Sequence, residues 1–77
     1  MRIATSDLYS IYIDLGEEFD SAVIKADYER KSTGLDLFIR TMTQVAPSER
    51  ALSNEEKQNI VKAVLEWNSS AGTISFI

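Results

Sequence analysis

The apolar residues of this chain change their spacing at Pro47, and that switch constrains the fold more than any other feature. Before it they recur at every second position, which is the spacing of a half-buried strand. Tyr9, Ile11, Ile13 and Leu15 alternate with polar neighbours, and Gly16-Glu17-Glu18 then interrupts the pattern as a turn. Ala22, Ile24, Ala26 and Tyr28 resume it, with Lys25 and Asp27 on the other face. Arg30 to Gly34 is a polar connection ending in glycine, the makeup of a hairpin loop. Leu35, Leu37 and Ile39 return to the inward face, and the threonines and valine that follow allow this strand to run on to Val45. Proline gives no N–H to a sheet ladder, so the strand ends at Pro47. Residues 46 to 52 are expected to be an exposed loop.

Beyond the loop the spacing becomes helical. Ser53 and Glu56 are placed for a capping box, and Glu55 and Glu56 suit the positive end of a helix dipole. Ile60, Val64 and Trp67 fall at i, i+4 and i+7 of one amphipathic helix of about 15 residues, in which Trp67 is expected to be core. Gly72 is placed to end the helix in a left-handed conformation, and Thr73 to Ile77 form a last strand. The fold class is therefore α+β: a single domain over residues 1–77, with an antiparallel sheet of about four strands in the order β-β-β-α-β and one helix packed on one face. A further strand start at Arg2-Ile3-Ala4 is compatible with the same pattern.

Seventy-seven residues bury a thin core, and this chain has no cysteine to staple it. It has no histidine either. Thiolate and imidazole metal sites and the His- or Cys-based nucleophile arrangements are thereby excluded. No glycine-rich phosphate loop is present, since Gly16, Gly34 and Gly72 lie far apart. The acids around the first turn do not have the spacing of a calcium loop. No cofactor is expected, and the chain reads as non-enzymatic. The longest apolar runs span three residues, far short of the roughly 20 that a membrane helix needs, and the first residues lack the apolar stretch of a secretory signal. A cysteine-free chain fits a reducing compartment, and a cytoplasmic location is expected.

Charge is distributed unevenly. Residues 1–29 carry seven acids against two bases and residues 30–77 five acids against six bases, together the net charge of −4. Asp14, Glu17, Glu18 and Asp20 gather around the first turn. A surface of that sign repels phosphate backbones and steers a basic protein, such as a nuclease or another nucleic-acid-binding protein. The basic hairpin tip at Arg30-Lys31 is expected to discourage edge pairing. The face of the sheet away from the helix is expected to carry Tyr12, Phe38 and Met42, with Leu8 and Ile77 beside them. One helix cannot cover both faces of a sheet, so these apolar groups call for a partner protein or a second copy of the chain.

The stretch from Leu52 to Val61 (Leu-Ser-Asn-Glu-Glu-Lys-Gln-Asn-Ile-Val), followed by Gly72-Thr73-Ile74-Ser75-Phe76, resembles the endings of small bacterial immunity proteins of polymorphic toxin systems. The resemblance covers about a third of the chain. It implies a non-enzymatic inhibitor that blocks a toxin, with the acidic first turn facing a basic active site. Taken with the charge pattern and the open apolar face, the sequence leaves a protein-binding module of the immunity or inhibitor kind as the first reading, a homodimeric structural or accessory domain as the second, and a minimal metal- or carboxylate-dependent enzyme as a distant third.

Overall fold

In the computed structural model, which describes residues 1–5, 9–68 and 74–77, seven short strands form one curled, mostly antiparallel sheet beside a single α-helix. The strands are β1 (Arg2–Thr5), β2 (Ser10–Asp14), β3 (Val23–Lys31), β4 (Gly34–Leu37), β5 (Thr43–Ala46), β6 (Arg50–Ala51) and β7 (Ile74–Phe76), and the helix α1 (Asn54–Trp67) lies between β6 and β7. The α+β class holds, while four strands understate the sheet. The early strand at Arg2 is present, and the segment expected to be a loop before the helix contains β6. The helix ending expected at Gly72 lies outside the described residues.

β3 organises the sheet. One of its edges pairs with β2, which in turn pairs with β1. Its other edge is shared, because Tyr28–Lys31 pair with β4 and Val23–Lys25 with β5. The long strand expected from Leu35 to Val45 is thus two strands laid end to end along β3. Between them Ile39–Thr41 form a 3-10 turn. Thr41 holds the break: its hydroxyl accepts from the Asp27 N–H at 2.9 Å and donates to the Phe38 carbonyl at 2.7 Å. A side chain thereby replaces the missing rung of the ladder.

That turn changes which side chains face inward. In an unbroken strand Leu37, Ile39 and residue 41 share a face and Met42 lies opposite. A one-residue slip in a pattern of period two sends every later residue to the other face. Met42 accordingly points into the core and is 1% exposed, and Gln44 follows it inward at 7% exposed. The expected placement of Met42 on the open face is therefore corrected.

The far edge of β4 pairs with β7, and this pairing is parallel, with Leu35, Asp36 and Leu37 opposite Ile74, Ser75 and Phe76. Parallel neighbours need a crossover of a dozen residues or more, usually through a helix. Here the excursion through β5, β6 and α1 supplies it. The core lies between α1 and the concave side of the sheet: Ile60 and Val64 of the helix meet Ile11, Ile13, Ile24, Leu37 and Met42.

The helix start is the expected one. Ser53 Oγ accepts from the Glu56 N–H, and Glu56 Oε1 accepts from the Ser53 N–H, both at 3.1 Å. Glu56 also receives both terminal N–H groups of Arg50 on β6, at 3.1 and 2.5 Å, so one carboxylate closes the helix end and ties it to the sheet. The Arg50 hydrogen bonds, then those from Ser53, hold the Glu56 carboxyl at about 2, below its ordinary 4.5. A depressed carboxyl contributes stability that is complete above its unfolded value and is lost as pH falls through its folded value. Acid titration of the melting temperature is therefore expected to show a Glu56 component that disappears between pH 4.5 and about 2, and Glu56→Gln should remove that component. A wild-type and variant difference that persists unchanged to pH 2 would contradict the pairing.

Candidate functional site

The connection from β2 to β3 carries most of the acidic candidates, and its backbone is tightly held. The Leu15 N–H donates to the Ala22 carbonyl at 3.0 Å, closing the end of the ladder. Inside the loop, Phe19 and Ser21 both donate to the Gly16 carbonyl, Asp20 to Glu17, and Ala22 to Phe19. Glu17–Phe19 form a 3-10 turn. Gly16 has φ +82°, a conformation that glycine adopts without penalty. Asp20 and Ser21 are both left-handed, at φ 55° and 57°, a conformation that an aspartate side chain tolerates better than most. Asp14 serves the loop itself: its Oδ1 accepts from the Gly16 N–H at 3.1 Å.

The result is a ridge of three exposed carboxylates, Glu17, Glu18 and Asp20, anchored by the partly buried Phe19. Among the described residues the ion pairs are Lys31–Asp36 and Arg50–Glu56, and neither involves the ridge. Its carboxylates thus keep their full field. The ridge also lies beside the C-terminal half of α1, whose last turn has no basic residue to offset the negative end of the helix dipole. Glu66 adds a further negative charge there.

A cleft opens on each side of the ridge. The broader one, about 640 Å³, lies between Glu17 and Glu18 and the end of the helix, with Ala63, Glu66 and Trp67 as its far wall. Trp67 is 48% exposed, which corrects the expectation that it is core. It follows Ile60 and Val64 at helical spacing, but of these three only Ile60 and Val64 are buried. The narrower cleft, about 270 Å³, runs beneath the ridge between the sheet and the N-terminal half of α1. Glu18 and Asp20 form its rim, Ile24 and Gln44 its sheet wall, and Asn59 and Ile60 its helix wall. The Arg50–Glu56 pair closes one end.

The three residues expected to share an apolar face are not brought together. Tyr12 is half-buried on the convex side of the sheet, directly opposite Ala4 on β1 and Lys25 on β3. Phe38, also half-buried, lies under the Arg40 guanidinium, 5.4 Å from the ring centre. By register, Lys25 and Asp27 of β3 stand between them. Met42 is in the core, Ile77 is largely exposed, and Leu8 lies outside the described residues.

Of the sequence candidates, then, Glu17, Glu18 and Asp20 converge and Asp14 supports them from behind. Trp67, Gln44 and Asn59 are additions. A tryptophan in the last helical turn, next to Glu66 and a run of Asn and Ser, is the one signal in the sequence for the first of these. Among the described residues no group of three or more acids is placed to hold a metal ion, and no helix is long and apolar enough to cross a membrane. No protein-family model matches the chain, and no curated protein or solved structure is significantly similar to it.

Proposed function

We propose that this chain is a non-enzymatic protein-binding module of the inhibitor or immunity kind, which covers a basic surface of its partner with the acidic ridge. The observation that carries the reading is the company the ridge keeps. Three carboxylates with no cation paired to them among the described residues stand on a hydrogen-bonded loop beside a half-exposed tryptophan. Aromatic anchors ringed by polar groups are where binding energy concentrates in protein interfaces, and a fixed field of one sign speeds encounter with a partner of the opposite sign. Tryptophan is also the strongest of the aromatic faces for a lysine or arginine cation. The partner chemistry that fits is a phosphate-binding surface, such as that of a nuclease, whose own substrate the ridge would mimic and displace.

Affinity capture on the immobilised chain, followed by reconstitution with the purified captured protein, tests this. The expected partner is basic, is released as salt rises to about 0.5 M because screening then acts over a few ångströms, and loses its nucleic-acid-directed activity when bound. Trp67 is the sole tryptophan, so its emission should change on complex formation. An acidic partner, or one held equally well at all salt concentrations, would sink the reading.

A further inference from the structure

The one described helix packs on the concave side of the sheet, so the convex face has no described element laid over it. Two neighbouring rows of side chains cross that face. Register sets Tyr12, Lys25 and Thr43 side by side on β2, β3 and β5. Two residues further along β3, on the same face, Asp27 stands beside Ser10. Phe38 completes this second row, since its N–H donates to the Asp27 carbonyl at 2.9 Å. Lys25 and Asp27 carry opposite charges, and neither joins an ion pair among the described residues. A shallow depression of about 460 Å³ lies at the Lys25 and Thr43 end of the first row, with Glu49 on its rim. Arg50, on the same rim, is already engaged by Glu56.

We propose that this face binds a second copy of the chain, in a two-fold dimer whose axis runs across the strands between the two rows. Such an axis lays each row on the opposite row of the second copy. Lys25 then meets Asp27 of the second copy, and the symmetry makes that ion pair twice. Sizes match as well as signs: Tyr12 comes over the deep-set Ser10 of the second copy, and Phe38 over Thr43 beside the depression. Arg40, held 5.4 Å above the Phe38 ring, travels with it toward Glu49 of the second copy. Facing sheets lie about 10 Å apart, a gap that a lysine and an aspartate span together. The curl of the sheet confines the contact to its centre, which puts it among the small interfaces, below roughly 1,200 Å². None of these side chains lines either cleft beside the ridge, so the dimer leaves the ridge open and does not depend on the partner reading.

Sedimentation equilibrium of the intact chain over about 5 μM to 1 mM tests this, with half-association expected at roughly 10–100 μM. Lys25→Glu and Asp27→Lys should each weaken the dimer at least about tenfold, because each sets two like-charge pairs across the axis. Lys25 is half-buried and Asp27 exposed, so both variants should keep the fold, which far-UV circular dichroism checks. An equimolar mixture of the two should associate within about threefold of the wild type, since every acid of one variant then faces a base of the other. A mixture that associates no better than its components, or either variant associating as tightly as the wild type, overturns the proposal. So does a wild-type chain that stays monomeric throughout, whatever the variants do. Self-association that is lost only when Glu17, Glu18 and Asp20 are neutralised would place the contact at the ridge, and this too overturns it.

Discussion

Met42→Asp is expected to leave the chain unfolded at room temperature, while Phe38→Asp gives a folded protein. Met42 is enclosed by the core and 1% exposed. Removing it forfeits roughly 2–5 kcal/mol of packing, and the carboxyl that replaces it must be buried or protonated, at a cost of several kcal/mol more. A chain of 77 residues has only about 4–12 kcal/mol of total stability to oppose this. Phe38 is half-buried on the convex side under Arg40, and an aspartate there can pair with that same guanidinium. The loss should be about 2 kcal/mol at most. Far-UV circular dichroism and a one-dimensional proton spectrum of the two variants decide the matter. The reverse result, with Met42→Asp folded and Phe38→Asp unfolded, would mean that the strand runs unbroken from Gly34 to Ala46.

The contrast between these two residues shows where the sequence can be read and where it cannot. The helix start was legible because its determinants are local: Ser53, Glu56 and the acids between them act within one turn. The acidic ridge was legible for the same reason, since Glu17, Glu18 and Asp20 are neighbours in the chain. Met42 was not, because the turn that reverses it depends on Thr41 reaching the backbone of Asp27, fourteen residues away. Gln44 inherits the same reversal, and so does the polar wall of the narrow cleft. Periodicity put Trp67 in line with Ile60 and Val64 and so in the core, but it carries no information about whether anything packs on the last turn, and Trp67 is 48% exposed. β6 is two residues long, too short to leave a pattern. The direction of β7 is set by where the crossover delivers the chain rather than by anything in Ile74-Ser75-Phe76.

The ridge offers the second large effect, this time on binding rate. Glu17→Gln, Glu18→Gln and Asp20→Asn together raise the formal net charge from −4 to −1 while retaining side-chain shape. Asparagine tolerates the left-handed conformation of residue 20 as readily as aspartate does, and the loop's hydrogen bonds among residues 15 to 22 are all backbone to backbone. The fold should therefore be unchanged, with a stability shift within about 0.5 kcal/mol. Association with the basic partner should slow by roughly 10- to 100-fold at low salt, and the dependence of the rate on ionic strength should flatten with it. Dissociation should change far less, because exposed charges at a rim act mainly on encounter. Trp67→Ala is expected to do the opposite, speeding dissociation with little change in the association rate, since an anchor acts once contact is made. Stopped-flow measurement of Trp67 emission, or of a labelled partner for the Trp67 variant, separates the two rates. A triple variant that associates as fast as the wild type, with the same salt slope, would place the binding surface elsewhere and leave the three carboxylates with no role beyond solubility.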